Sequence, residues 1–148
     1  MVSRKLFLAV FGTFLLGVAS LSAEEKKHEH DDKPGPNGGE IQELGDADDH
    51  HVEIKHDQAN SKITLWILGK DRKTAVSIKE GPKINLKSKD GNKQIEMTSV
   101  KAVDGAASQW EATDAGFKAD PLDGRAQIKL VDGKKYNVKL DAHHGHDH

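Results

Sequence analysis

Beyond residue 40, apolar and polar residues alternate in short runs. In HVEIKH, Val52 and Ile54 share one face while His51 and Glu53 share the other, the period of two expected of a half-buried strand. KITLWIL puts Ile63, Leu65 and Ile67 on one face and Thr64, Trp66 and Leu68 on the other. Apolar residues on both sides predict a central strand. TAVSIKE offers a shorter strand through Ala75 or Val76 and Ile78. KINLKSKDGNKQIEMTSV reads as a hairpin, with Ile84 and Leu86 before Asp90-Gly91-Asn92 and Ile95 and Met97 after it. In RAQIKLVDGKKYNVKL, Ala126, Ile128 and Leu130 alternate out, and Tyr136, Val138 and Leu140 alternate back. Asp132-Gly133 between them predicts a type I′ turn, whose twist matches the flanking strands.

No segment carries an amphipathic helical period of useful length. DGAASQWEATDAGFKADPLDG is the least regular stretch, and predicts a short strand at Trp110, a loop and a Phe117 anchor. Several short strands at close spacing predict an all-β fold, a small antiparallel β-sandwich of Ig-like kind over residues 41–141. A small barrel is the alternative. Residues 24–40, EEKKHEHDDKPGPNGGE, are charged and then rich in Pro and Gly. With no apolar period to offset ordering entropy they read as a disordered linker, and 142–148 as a disordered tail.

The N-terminus changes the picture of where the fold begins. Arg4 and Lys5 precede an apolar run from Leu6 to about Ala19, then small residues, then Glu24 and Glu25. This is the order of a secretory signal peptide, expected over 1–23, and the run is short of the roughly 20 residues of a membrane span. The expectation is a periplasmic or secreted chain with no membrane attachment after cleavage. Losing Arg4 and Lys5 takes the formal charge from −2 to −4 (−2 − 2). A mildly acidic chain is a poor nucleic-acid ligand, since that binding needs concentrated positive charge. With no cysteine, neither a disulfide nor a cysteine-linked lipid is available, and stability falls to the core.

Candidate chemistry lies in the histidines, nine in all. The C-terminus reads DAHHGHDH, with His143, His144, His146 and His148 beside Asp141 and Asp147. His28 and His30, with Glu29, Asp31 and Asp32, form a similar group after the signal. Neutral imidazoles suit Zn, Cu and Ni, and carboxylates can complete the shell. Two or three from a flexible arm can reach one ion, without fixed geometry. In DADDHHVEIKH, His51 and Glu53 project to one strand face, expected to be the polar one. Two readings compete there: a metal site with Asp48, Asp49 or a tail histidine, or an exposed polar face. His50 and His56 fall at the strand's ends. No catalytic pattern emerges: the serines at 61, 77, 88, 99 and 108 lack a nucleophile elbow, and the glycines of PGPNGG suit a tight entry turn and lead into no helix that would make a phosphate loop. The chain reads as a non-enzyme.

GPNGGEIQELGDADDHHVEI resembles a pattern of exported bacterial domains associated with periplasmic adaptor subunits of heavy-metal efflux systems. The matching residues are Gly35, Pro36, Gly38, Gly39, Leu44-Gly45 and the strand His51-Val52-Glu53-Ile54. One residue departs from the pattern: the family's histidine in the glycine turn is Asn37 here, a poor ligand for Zn or Cu. The resemblance implies an exported, metal-associated domain, accessory to efflux, with an efflux-system or envelope protein as partner. The expected function is binding or buffering of divalent metal ions through the His/Asp-rich arms. An envelope interaction module without metal is the alternative, and pH sensing by histidine, which titrates near pH 6.5, is a third.

Overall fold

In the computed structural model, residues 33–140 are described. The expected signal peptide, most of the linker, and His28, His30, His143, His144, His146 and His148 lie outside the described residues. Nine strands follow in order: β1 Glu40–Glu43, β2 His50–Asp57, β3 Lys62–Gly69, β4 Lys83–Ser88, β5 Gly91–Glu96, β6 Thr98–Val100, β7 Gln109–Thr113, β8 Gly124–Lys129 and β9 Lys135–Lys139. They form two antiparallel sheets, β1-β2-β3-β7-β6 and β5-β4-β8-β9. The fold is a β-sandwich, as the strand spacing predicts. KITLWIL is β3, the middle strand of five.

The two sheets share one core. Val52 and Ile54 from β2, Ile63, Leu65 and Ile67 from β3, and Trp110 and Ala112 from β7 face Ile84 and Leu86 from β4, Ala126 and Ile128 from β8, and Val138 from β9. Burying a side chain of this size contributes about 1.5–3 kcal/mol, so the alternation that writes each strand also supplies most of the driving force. The irregular stretch adds its predicted anchor: Phe117, on a 3-10 turn at Ala115–Lys118, is fully buried. His56 at the end of β2 donates its Nε2–H to the Phe117 carbonyl and ties that turn to the sheet.

The chain crosses between the sheets three times, from β3 to β4, from β5 to β6 and from β7 to β8. β5 runs into β6 through Met97, which is buried and donates its N–H to Pro82 O at 3.0 Å. On the opposite side Gln42 Nε2 donates to Lys139 O at 3.0 Å, linking β1 to β9. Beside that link Gly45 (φ +83°) lies so close to the Tyr136 ring that a Cβ would stand 2.7 Å from Cε1. Among the described residues no buried side-chain nitrogen or oxygen lacks a partner, and no helix is long and apolar enough to cross a membrane.

Three expectations need correction. TAVSIKE forms no strand: only single bridges, Leu68 to Ala75 and Ile78 to Ala107, hold it. Its apolar residues fill gaps beside β3 and β7 without a ladder. The β8–β9 turn is not type I′. Leu130 N bonds Lys134 O, Gly133 N bonds Leu130 O, and only Gly133 has positive φ (+87°). That is a three-residue loop, a turn over Val131-Asp132 closed by glycine in the left-handed region. Finally, the glycine segment is not linker. Gly35 N donates to Gly39 O at 2.7 Å and Gly38 N to Gly35 O at 2.9 Å, so the ordered structure begins before residue 41.

Candidate metal centre on the outer face of the five-stranded sheet

His51 and Glu53 share a face, as their spacing requires, and it is the face turned away from the core. Of the two readings of that face, an exposed polar surface does not hold, since both residues are fully buried. Period-two patterning assigns a face without saying what covers it. Here three segments cover it: the glycine turn 35–39 over Glu53, and the loops 44–50 and 69–74 over His51.

The Glu53 carboxylate is enclosed by donors. Oε1 accepts from Asn37 N and Gly39 N, each at 2.8 Å, and Oε2 accepts from the Asn37 side-chain amide at 2.8 Å. Successive backbone N–H groups of this kind form an anion-binding concavity, and the anion is the chain's own. The glycines are required by proximity: a Cβ at Gly35 would lie 2.5 Å from Glu53 Cδ, and one at Gly39 2.5 Å from Ile54 O. Asn37, a poor metal ligand, is an apt donor to a carboxylate. Glu53 is thus engaged in holding the N-terminal segment, and among the described residues it is not one of those whose ligand atoms converge on His51.

His51 has other company. Among the described residues, Glu43, Asp48 and His51 offer ligand atoms that all lie within 4.8 Å of one another. Glu43 closes β1, and the register sets it opposite His51 on β2. Asp48 sits in the connecting loop at φ +53°, a left-handed conformation that aspartate tolerates better than most residues. From there Asp48 Oδ1 reaches His51 Nε2 at 2.9 Å. The loop is closed by Leu44 N to His50 O at 2.9 Å. Asp49 is exposed and outside the group, and His50, half-buried, is outside it as well.

The ring's hydrogen-bonding roles follow from its neighbours. His51 Nδ1 is 3.0 Å from Gly69 O. A carbonyl only accepts, so Nδ1 carries a hydrogen and Nε2 is the nitrogen left to bind something else. Arg72 Nε–H donates to Nε2 at 3.3 Å, and Arg72 Nη2 stands 3.7 Å from Glu43 Oε1. Nε2 cannot accept from Arg72 and donate to Asp48 at once. A proton, the guanidinium or a metal ion can satisfy that lone pair, one at a time. Ligands around zinc at about 2.0–2.2 Å sit roughly 3.3 Å apart, so the Nε2–Oδ1 pair is already near the needed spacing and Glu43 has to close in. One imidazole and two carboxylates leave a fourth position for water on the exposed side.

Arg72 is delivered by a tight turn. Gly69 N donates to Thr74 O at 2.8 Å and Arg72 N to Gly69 O at 3.0 Å. Asp71 Oδ1 accepts from Lys73 N at 2.9 Å and Thr74 N at 2.7 Å, and Oδ2 accepts from the Thr74 hydroxyl. Arg72 has φ +60°, a conformation costing an L-residue about 1–2 kcal/mol, and it is held there by the bonds on both sides. Neither Glu43 nor Arg72 was visible as a site residue in sequence. Arg72 is 21 positions from His51, and Glu43 is joined to it only by the β1–β2 register, which no strand period reveals. Comparison with family models, with curated proteins and with solved structures finds no match for this chain.

Two outcomes follow. Glu53→Ala orphans three donors and should lower stability by about 3 kcal/mol, against about 1 kcal/mol for Asn37→Ala, which removes one side-chain bond. Urea unfolding gives both values, and equal losses would contradict the clasp. The Asp71 carboxyl is held down to about 2, first by the Thr74 hydroxyl and then by the Thr74 and Lys73 N–H groups. A depressed folded-state value means that its contribution is complete above the ordinary carboxylate range and is lost as pH falls through about 2. Amide exchange at Thr74 and Lys73 should therefore stay protected at pH 4 and open toward pH 2. Opening already at pH 4 would show the turn is held otherwise.

Proposed function

We propose that the chain is an exported β-sandwich domain that binds or buffers a divalent transition metal ion of the zinc, copper and nickel class. One observation carries the reading: buried His51 donates Nδ1–H to a backbone carbonyl and turns Nε2 toward two carboxylates. Metal-binding histidines ordinarily divide their nitrogens in this way, one on the ion and the other on a carbonyl or carboxylate that fixes the tautomer. The arm histidines His28, His30, His143, His144, His146 and His148 add imidazoles of suitable chemistry at both ends of the domain. Export rests on the signal-like order of residues 1–23, and a role beside a metal-efflux system rests on the resemblance across Gly35–Ile54. The reading assigns no catalysis.

A second reading, an envelope interaction module, draws on the outer face of the four-stranded sheet. Its outward positions are Lys83, Asn85 and Lys87; Asn92, Gln94 and Glu96; Arg125, Gln127 and Lys129; and Lys135, Asn137 and Lys139. Cations and carboxamides fill every position but Glu96, on a chain whose net charge is −2. Such a face suits an anionic surface. Retention on phosphatidylglycerol vesicles that disappears by about 0.2 M salt, within the range where surface charges are screened, would favour this reading. No retention at low salt would dismiss it.

The metal reading is tested by titrating zinc, copper(II) and nickel into the chain, into His51→Ala, and into a chain ending at Asp141. We expect a site tighter than about 10 μM, weakened at least tenfold by His51→Ala and present without the tail. Absence of any binding tighter than about 10 μM in the intact chain ends the metal reading.

A further inference from the structure

We propose that Arg72 is the resident cation of the His51 site and that a divalent ion binds there by displacing it. The inference rests on the metal-binding reading above and specifies how that site is regulated. It starts from a conflict of charges. The His51 Nε2 lone pair and Asp48 Oδ1 face each other at 2.9 Å, with Glu43 within reach of both. With a neutral imidazole, three acceptors converge on one point, an arrangement that needs a positive charge. The guanidinium provides it, with Nε–H on His51 Nε2 and Nη2 toward Glu43.

Its hold is weak. Distances of 3.3 Å and 3.7 Å exceed the 2.7–2.9 Å of a strong charge-assisted bond. The side chain is 36% exposed, so it can turn into water. Its backbone need not move, because Asp71 and Gly69 lock the turn. Exchange is then a side-chain rotation. Two carboxylates and one guanidinium sum to −1 (−2 + 1), so the group keeps a residual attraction for cations even with Arg72 in place. A dication that takes the guanidinium's position neutralises both carboxylates.

Displacement also filters the incoming ion. To replace Arg72 it has to gain from an imidazole nitrogen as well as from carboxylate oxygens. Zinc, copper(II) and nickel do so. Magnesium and calcium prefer oxygen ligands and gain little from that nitrogen. The guanidinium thus keeps abundant hard cations from occupying the carboxylates and lowers the affinity for every ion by the fraction of time it spends on Nε2. A site closed about nine-tenths of the time loses tenfold in apparent affinity.

The test uses the full chain with His28, His30, His143, His144, His146 and His148 changed to alanine, which silences the arms. Zinc is titrated by calorimetry, and the Arg72 Nε–H resonance is followed by nitrogen-15 NMR. We expect one equivalent of zinc to shift Arg72 Nε–H to the position of a solvent-exposed guanidinium, and Arg72→Ala to bind zinc about tenfold more tightly. Magnesium at millimolar concentration should leave the resonance in place. If zinc binds in a His51-dependent manner while Arg72 Nε–H stays unchanged, or if Arg72→Ala binds no tighter, displacement is wrong and the metal reading stands. If no His51-dependent zinc binding occurs, the metal reading falls and the inference with it. Should Arg72→Ala fail to fold, the resonance of the unaltered arginine decides alone.

Discussion

A carboxylate without access to water must be met by donors, and much of this fold is arranged around meeting one. Glu53 is fully buried, where an unpaired charge would be prohibitive. Three N–H groups from Asn37 and Gly39 satisfy it. That requirement folds the glycine turn back over the outer face of β2 and sets the position from which β1 departs at Glu40. β1 then pairs with β2 in the register that puts Glu43 opposite His51. The clasp at one end of the strand therefore governs the site at the other.

The same constraint explains what could be read from sequence and what could not. Alternation within a strand is local. For that reason Val52 and Ile54, Ile63 to Ile67, and the β8–β9 pair were legible, as was β3's central place, with apolar residues on both faces. The failures are all matters of what lies across from a residue. The face of His51 and Glu53 is legible in the sequence but its cover is not, because Gly39 and Arg72, which help to bury them, sit 14 and 21 positions away. The β8–β9 turn was misread because Asp-Gly signals a hairpin while the ladder's register, not the dipeptide, decides loop length. Ala75 and Ile78 make bridges too isolated for a strand period to distinguish.

One signal for the site was present and could be understood only afterwards. By composition PGPNGG belongs to a linker, while its glycines suit a tight entry turn. Here Gly35 and Gly39 serve close approach, since any side chain would collide with Glu53 or with the β2 backbone. Asn37 was read as a missing ligand when its amide is a donor to a buried acid. Composition alone does not tell which buried group needs those N–H donors; Glu53 does.

Two polar residues, two positions apart on one strand face, meet burial in opposite ways. Glu53 is answered by backbone N–H groups and one amide that come with the chain and cannot leave without unfolding the turn. His51 is answered on one nitrogen by an equally fixed carbonyl, Gly69 O, and on the other by the end of a long, half-exposed arginine. Fixed partners confer stability, while a replaceable partner leaves room for exchange. The proposed metal chemistry needs both on the same strand: a permanent bond at Nδ1 that holds the ring and tautomer still, and a removable one at Nε2 that can yield to a better cation. Glu53 alone would make β2 a structural strand. It is His51, held as firmly but closed less tightly, that gives the strand something to bind.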